Sequence, residues 1–159
     1  MTIFSQLDTA GVCLDIAAKN KAALLEALAA EAAARIERSA DEILEALQKR
    51  EKLGSTALGH GAALPHAQLP GEVPPFVLFA RLAQPVDFDA RDGEPVDLVV
   101  LVLWPAAATK DLLTAMAGIA RVLQDSSLRR SLRNAGSVEQ VAQLLRQNAA
   151  AADPDAFLD

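Results

Sequence analysis

From Val96 to Trp104 the chain reads Val-Asp-Leu-Val-Val-Leu-Val-Leu-Trp, apolar at all but one position and rich in β-branched residues. Such a run reads as a buried strand, so the remaining chain must supply elements that cover a sheet from both sides. Phe76 to Leu82 reads the same way, Pro85 to Phe88 as a short strand, and Asp92-Gly93 as a turn between strands. A short first strand is expected around Val12 to Ile16. Covering material stands at both ends. Leu24, Leu25, Leu28, Ala32 and Ile36 recur at helical spacing behind an Asn20 cap, and Ser39 with Glu42 forms a capping box ahead of Ile43, Leu44 and Leu47. Gly54 can close that second helix in a left-handed turn. Beyond the strands, Leu112, Leu113, Met116, Ile119, Ala120 and Leu123 repeat every three or four residues after Thr109. A short helix is expected around Leu128 to Arg133, and Ser137 with Gln140 caps a last helix carrying Val138, Val141 and Leu145. The expected class is α/β (or α+β), with a central sheet flanked by helices on both faces.

At 159 residues and 52% hydrophobic content, the chain suits one domain with a sizeable core. Its longest apolar run, Leu98 to Pro105, is far shorter than the roughly 18 residues of a membrane span. A net charge of −6 opposes direct nucleic-acid binding, which gains from a basic footprint. Cys13 is the single cysteine, and the N-terminus lacks the basic head and long apolar stretch of a secretory leader, so a cytoplasmic setting is expected. The tail from Ala149 to Asp159 has reason to be ordered only if Phe157 and Leu158 dock.

The chemistry concentrates between Arg50 and His66. There Arg-Glu-Lys-Leu-Gly-Ser-Thr-Ala-Leu-Gly-His-Gly-Ala-Ala-Leu-Pro-His places His66 directly after a proline, at the expected end of a strand and behind a glycine-spaced loop. A neutral imidazole is a competent nucleophile towards phosphorus, and a reference pKa of about 6.5 keeps that form available near neutrality. Phosphoryl transfer then needs donors placed to meet developing charge, and Arg50, Ser55, Thr56 and the loop amides are at hand. Gly54, Gly59 and Gly61 can supply unusual backbone angles or allow close approach of a partner. Plainer readings exist for each residue. A histidine after proline can be a packing residue, Arg50 can complement a helix dipole, the glycines can serve turns, and Ser55 and Thr56 can cap local backbone groups. Other motifs fail. Gly54-Ser55-Thr56 lacks the Gly-Lys of a P-loop, Ser55 lacks the G-x-S-x-G elbow, and two histidines with one distant cysteine do not make a zinc site. No metal or cofactor is expected.

The segment Gly54 to His66 fits G-S-T-x-x-G-x-G-x-A-x-P-H and so resembles the active-site stretch of the type-2 enzyme IIA proteins of the bacterial phosphotransferase system. The preceding Arg50-Glu51-Lys52 is similar to the R-E-K of the nitrogen-regulatory branch. The resemblance runs from about residue 5 to about residue 147 and implies a mixed sheet flanked by helices. It implies further that His66 accepts a phosphoryl group from a phosphohistidine phosphocarrier protein (HPr- or NPr-like) and that the phosphorylation state regulates other proteins. Alternatives are a fructose- or mannitol-type IIA passing phosphate to a IIB component, and a docking module without efficient transfer. Three departures from the family pattern stand out. The family's second histidine, in H-L-x-x-L-S, is replaced by Leu112 and its serine by Ala117, and the Gly-Lys after the phosphorylated histidine is Ala67-Gln68. His60 stands where the nitrogen-regulatory proteins usually have asparagine and is a candidate for the missing imidazole.

Overall fold

A computed structural model describes Phe4 and residues 7–152. Six strands, β1 (Val12–Ile16), β2 (Ala57–Gly59), β3 (Ala62–Ala63), β4 (His66–Leu69), β5 (Phe76–Val86) and β6 (Val96–Pro105), form one mixed sheet. The helices are α1 (Lys21–Ala33), α2 (Ala40–Lys52), α3 (Thr109–Leu123), α4 (Ser126–Asn134) and α5 (Val138–Ala152). Strand β5 pairs antiparallel with β6 and parallel with β1, while β3 and β4 both run parallel to β6, and β2 returns antiparallel to β3.

Strand β6 is central, and its side chains alternate between two cores. Leu98, Val100, Val102 and Trp104 pack with α3, α4 and α5, whereas Val99, Leu101 and Leu103 pack with α1 and α2. The expectation of helices on both faces therefore holds. Asn20 accepts from the Ala23 amide at 2.8 Å, Ser39 from Glu42 at 3.1 Å, and Ser137 from Gln140 at 3.1 Å, so the three expected caps are made.

Four readings need correction. The stretch read as a glycine-spaced loop contains the β2–β3 hairpin, turned by Gly59, His60 and Gly61 at φ of 91°, 56° and 80°. His66 does not end a strand but begins β4. Strands β3 and β4 are two pieces of one line beside β6, broken at Leu64-Pro65 because proline has no N–H for the ladder. Pro65 still accepts from the Val102 amide at 3.0 Å, which keeps the line in register. Pro85 to Phe88 is not a separate strand: β5 runs on to Val86 through a register shift that accommodates Pro85. Finally, α5 continues through Ala152, which gives the first residues of the tail helical order. Docking of Phe157 and Leu158 lies outside the described residues.

Candidate functional site

The break at Leu64-Pro65 prepares the site. The Leu64 carbonyl lies 2.9 Å from His66 Nδ1, and since a carbonyl can only accept, Nδ1 carries the hydrogen. The neutral ring then keeps its lone pair on Nε2, which accepts from Arg50 Nε at 3.1 Å. Both ring nitrogens are thus fixed by the fold, one by the chain two residues back and the other by the last turn of α2. Burial depresses the His66 pKa below its ordinary value, with the Arg50 charge acting in the same direction; the Leu64 bond and Glu51 oppose them. The ring is held in its nucleophilic form.

Arg50 is itself anchored, since its Nη1 donates to the Gly54 carbonyl at 3.0 Å. Gly54, at φ 148°, turns the chain out of α2 so that this carbonyl faces back towards the helix end. The adjoining Glu51 was not singled out from sequence. Its side chain is only 6% exposed and accepts Lys21 Nζ at 2.8 Å, the Thr56 amide at 3.2 Å and the Thr56 hydroxyl. This buried carboxylate ties the loop to α2 and α1. An acid in the last turn of a helix ahead of Gly-Ser-Thr was the available signal, but only the fold shows that Lys21 completes it.

Ser55 and Thr56 serve this tie. Ser55 Oγ donates to the Phe88 carbonyl at 2.6 Å and accepts from the Ala57 amide at 3.2 Å, while the Thr56 hydroxyl donates to Glu51. Their hydroxyl hydrogens are committed inside the protein, so the expectation that they face a phosphoryl group is not met in this state. They hold the loop on which the site is built.

Gly59, His60 and Gly61 are not brought to His66. Ala62 pairs with Leu98 and His66 with Val102, a separation along β6 of about 13 Å at ~3.3 Å per residue. At the hairpin tip the His60 amide donates to Asp92 Oδ2 at 2.8 Å, and the His60 carbonyl accepts from Arg133 Nη2 at 2.7 Å. Arg133 also grips Asp97 with Nε–Oδ2 at 2.9 Å. Asp97 and Arg133 escaped sequence reasoning, and Asp92 was read only as a turn residue, because their partners at the tip are 32 or more residues away. His60 therefore does not supply the missing imidazole.

Leu112, in the second-histidine position, is 4% exposed and belongs to the apolar cluster between α3 and the sheet, which also contains Val102. The first residue of α3 is tied to β4 by Gln68 Nε2, which donates to Thr109 Oγ1 at 2.9 Å. Gln68, found where the family has lysine, thus joins the sheet to the helix instead of offering a charge.

The arrangement is a half-buried, tautomerically fixed imidazole with the Arg50 guanidinium at its lone pair. Residues 5–148 match the family described as phosphoenolpyruvate-dependent sugar phosphotransferase system, EIIA 2. A nitrogen regulatory protein of Bradyrhizobium diazoefficiens is 44% identical over 126 residues, covering 79% of this chain and 82% of that one. A fructose-specific EIIA component of Haloferax volcanii is 36% identical, covering 67% of this chain and 70% of that one. The crystal structure of nitrogen regulatory protein IIA-Ntr from Neisseria meningitidis superposes with a TM-score of 0.85 at 35% identity, covering 90% of this chain and 98% of that one. The chain belongs to the type-2 enzyme IIA family of the phosphotransferase system.

Proposed function

We propose that His66 accepts a phosphoryl group on Nε2 from a phosphohistidine phosphocarrier protein, and that the phosphorylation state of this chain regulates other proteins. The observation that carries the reading is the pair of bonds on the imidazole, Leu64 carbonyl to Nδ1 and Arg50 Nε to Nε2. In the transfer the N–P bond of the donor breaks and its electron pair returns to the donor imidazole. The Nε2 lone pair of His66 forms the new P–N bond, Nδ1 keeps its hydrogen, and no proton needs to move. The positive character gained by the ring is met at Nδ1 by the Leu64 carbonyl. Arg50 occupies the Nε2 lone pair in the resting state and passes to a phosphoryl oxygen as phosphorus approaches, so its charge follows the negative charge that arrives.

A carrier must bring its own imidazole against the site, and the chain exposes large apolar side chains that such a partner would cover. Leu53, 84% exposed, caps α2 beside Arg50, and Leu113 is exposed one turn into α3. Regulation is favoured over sugar transfer by the Arg-Glu-Lys opening and by the 44% identity to a protein named for nitrogen regulation. Incubation with the general phosphotransferase proteins and labelled phosphoenolpyruvate tests the reading. Acid-labile label on His66 is expected, and a chain that takes up no label, or takes it elsewhere, overturns it.

A further inference from the structure

A second cluster of charged groups lies between the β2–β3 hairpin tip and α4, away from His66. A cavity of about 410 Å³ is lined there by Gly61, Pro85, Glu94, Asp97, Arg129 and Arg133. Arg133 and Asp97 neutralise each other in a two-pronged ion pair. Arg129 is different. It is only 8% exposed, and among the described residues its one side-chain hydrogen bond is from Nη1 to the Leu123 carbonyl at 2.8 Å. Among the described residues no carboxylate pairs with it. The one fully buried side-chain nitrogen without a partner among those residues is Trp104 Nε1, so the unbonded N–H groups of Arg129 reach solvent. The cavity that Arg129 lines is where they can do so.

A buried guanidinium without a counter-charge is costly, and its planar donors match a carboxylate in two-point contact. Glu94, exposed and also lining the cavity, is likewise in no ion pair among the described residues, including with Arg129. One unpaired cation within and one unpaired carboxylate beside it disfavour a dianion, which Glu94 would repel. They suit a small molecule that carries both charges.

We infer that this cavity binds an amino-acid-class zwitterion, with its carboxylate on Arg129 and its ammonium group on Glu94. The site is separate from the reacting imidazole, and the inference does not depend on the phosphotransfer reading. The hairpin tip that borders it is continuous with β3, so an occupant would rest against the tip and not against His66.

The test is a nuclear magnetic resonance titration of the whole chain with each of the twenty L-amino acids supplied singly, and with acetate and inorganic phosphate in parallel. At least one amino acid is expected to saturate with a Kd of about 1 mM or tighter, moving the Arg129 Nε and Gly61 amide signals. Arg129→Gln, which removes the charge and keeps a polar side chain, should weaken both that amino acid and acetate about tenfold or more. Glu94→Gln, a substitution at an exposed position, should weaken the amino acid while acetate binds as well as before or better, since a repelling charge is removed. The inference fails if nothing saturates by about 10 mM, if phosphate binds more tightly than every amino acid, or if Arg129→Gln binds like the parent while its thermal midpoint is unchanged. Signals that move only around His66 would also overturn it.

Discussion

Each of the two histidines between Arg50 and His66 meets an arginine, His66 meeting Arg50 and His60 meeting Arg133 of α4, and the two pairs are used in opposite ways. At the His66 end the fold grips the imidazole itself, through Arg50 and the Leu64 carbonyl. At the hairpin tip it grips the backbone of His60, through Asp92 and Arg133, and leaves the ring exposed. Residue type is therefore a poor guide to chemistry at this range. What separates the two histidines is whether burial and partner geometry fix the tautomer, as they do at His66.

The largest effect that could break this contrast is on phosphorylation itself. His66→Ala should abolish carrier-dependent, acid-labile labelling, while His60→Ala should keep it at the parent rate. Label that survives the first substitution and vanishes with the second would reverse the assignment. Next comes Arg50. Loss of one aligned donor typically lowers such rates about 10²–10³-fold, and Arg50→Ala should fall in that range with Trp104 fluorescence reporting an intact fold. An unchanged rate would leave Arg50 with only its bond to Gly54 and a role at the helix end.

Much of the framework was legible, because the elements that formed as expected rest on local rules. The run in β6, the Asn20, Ser39 and Ser137 caps and the three-and-four spacing in α3 each depend on neighbours within a few residues. The hairpin and the true position of His66 were not legible. Ala57-Leu58-Gly59 has little β propensity, and it becomes a strand because β3 is available beside it; β3 in turn exists because β6 offers a parallel edge. At the site both His66 and Arg50 were legible as candidates, but that the Leu64 carbonyl meets Nδ1 and the Arg50 guanidinium meets Nε2 depends on how the folded chain turns there. Glu51, Arg133 and Asp97 were missed for the same reason.

The glycines at the two ends sharpen the comparison on stability. A methyl group at Gly61 would lie 2.4 Å from Arg133 Nη2 and 3.1 Å from Asp97 Oδ1, on a backbone at φ 80°. At Gly54 the methyl group would meet nothing within 4 Å, although φ is 148°. Gly61→Ala should therefore cost about 3 kcal/mol, combining backbone strain with disruption of the Arg133 contacts. Gly54→Ala should cost about 1 kcal/mol from strain alone. Urea unfolding of both variants decides the matter, and equal losses would mean that the tip is not held as tightly as its contacts imply. The Gly61 variant should still label on His66 in its folded fraction, because the tip is not brought to His66.

The smallest expected effect is in the pH dependence of stability. Burial first, and the Arg50 charge second, lower the His66 pKa in the folded chain, so the unfolded chain binds a proton more readily at that ring. The contribution of His66 to stability is then complete above the unfolded value of about 6.5. It is lost as pH falls from there towards the lower folded value, since each proton taken up favours the unfolded chain. Measured between about pH 7.5 and 5, the parent should lose more stability than His66→Ala, and the difference is the share that belongs to this ring. Arg50→Ala should narrow that difference by removing one of the two causes of the shift, while the larger cause, burial, remains. Parallel stability curves for the parent and His66→Ala would mean that His66 titrates as an exposed histidine, and the distinction drawn between the two ends of the stretch would fail at its physical root.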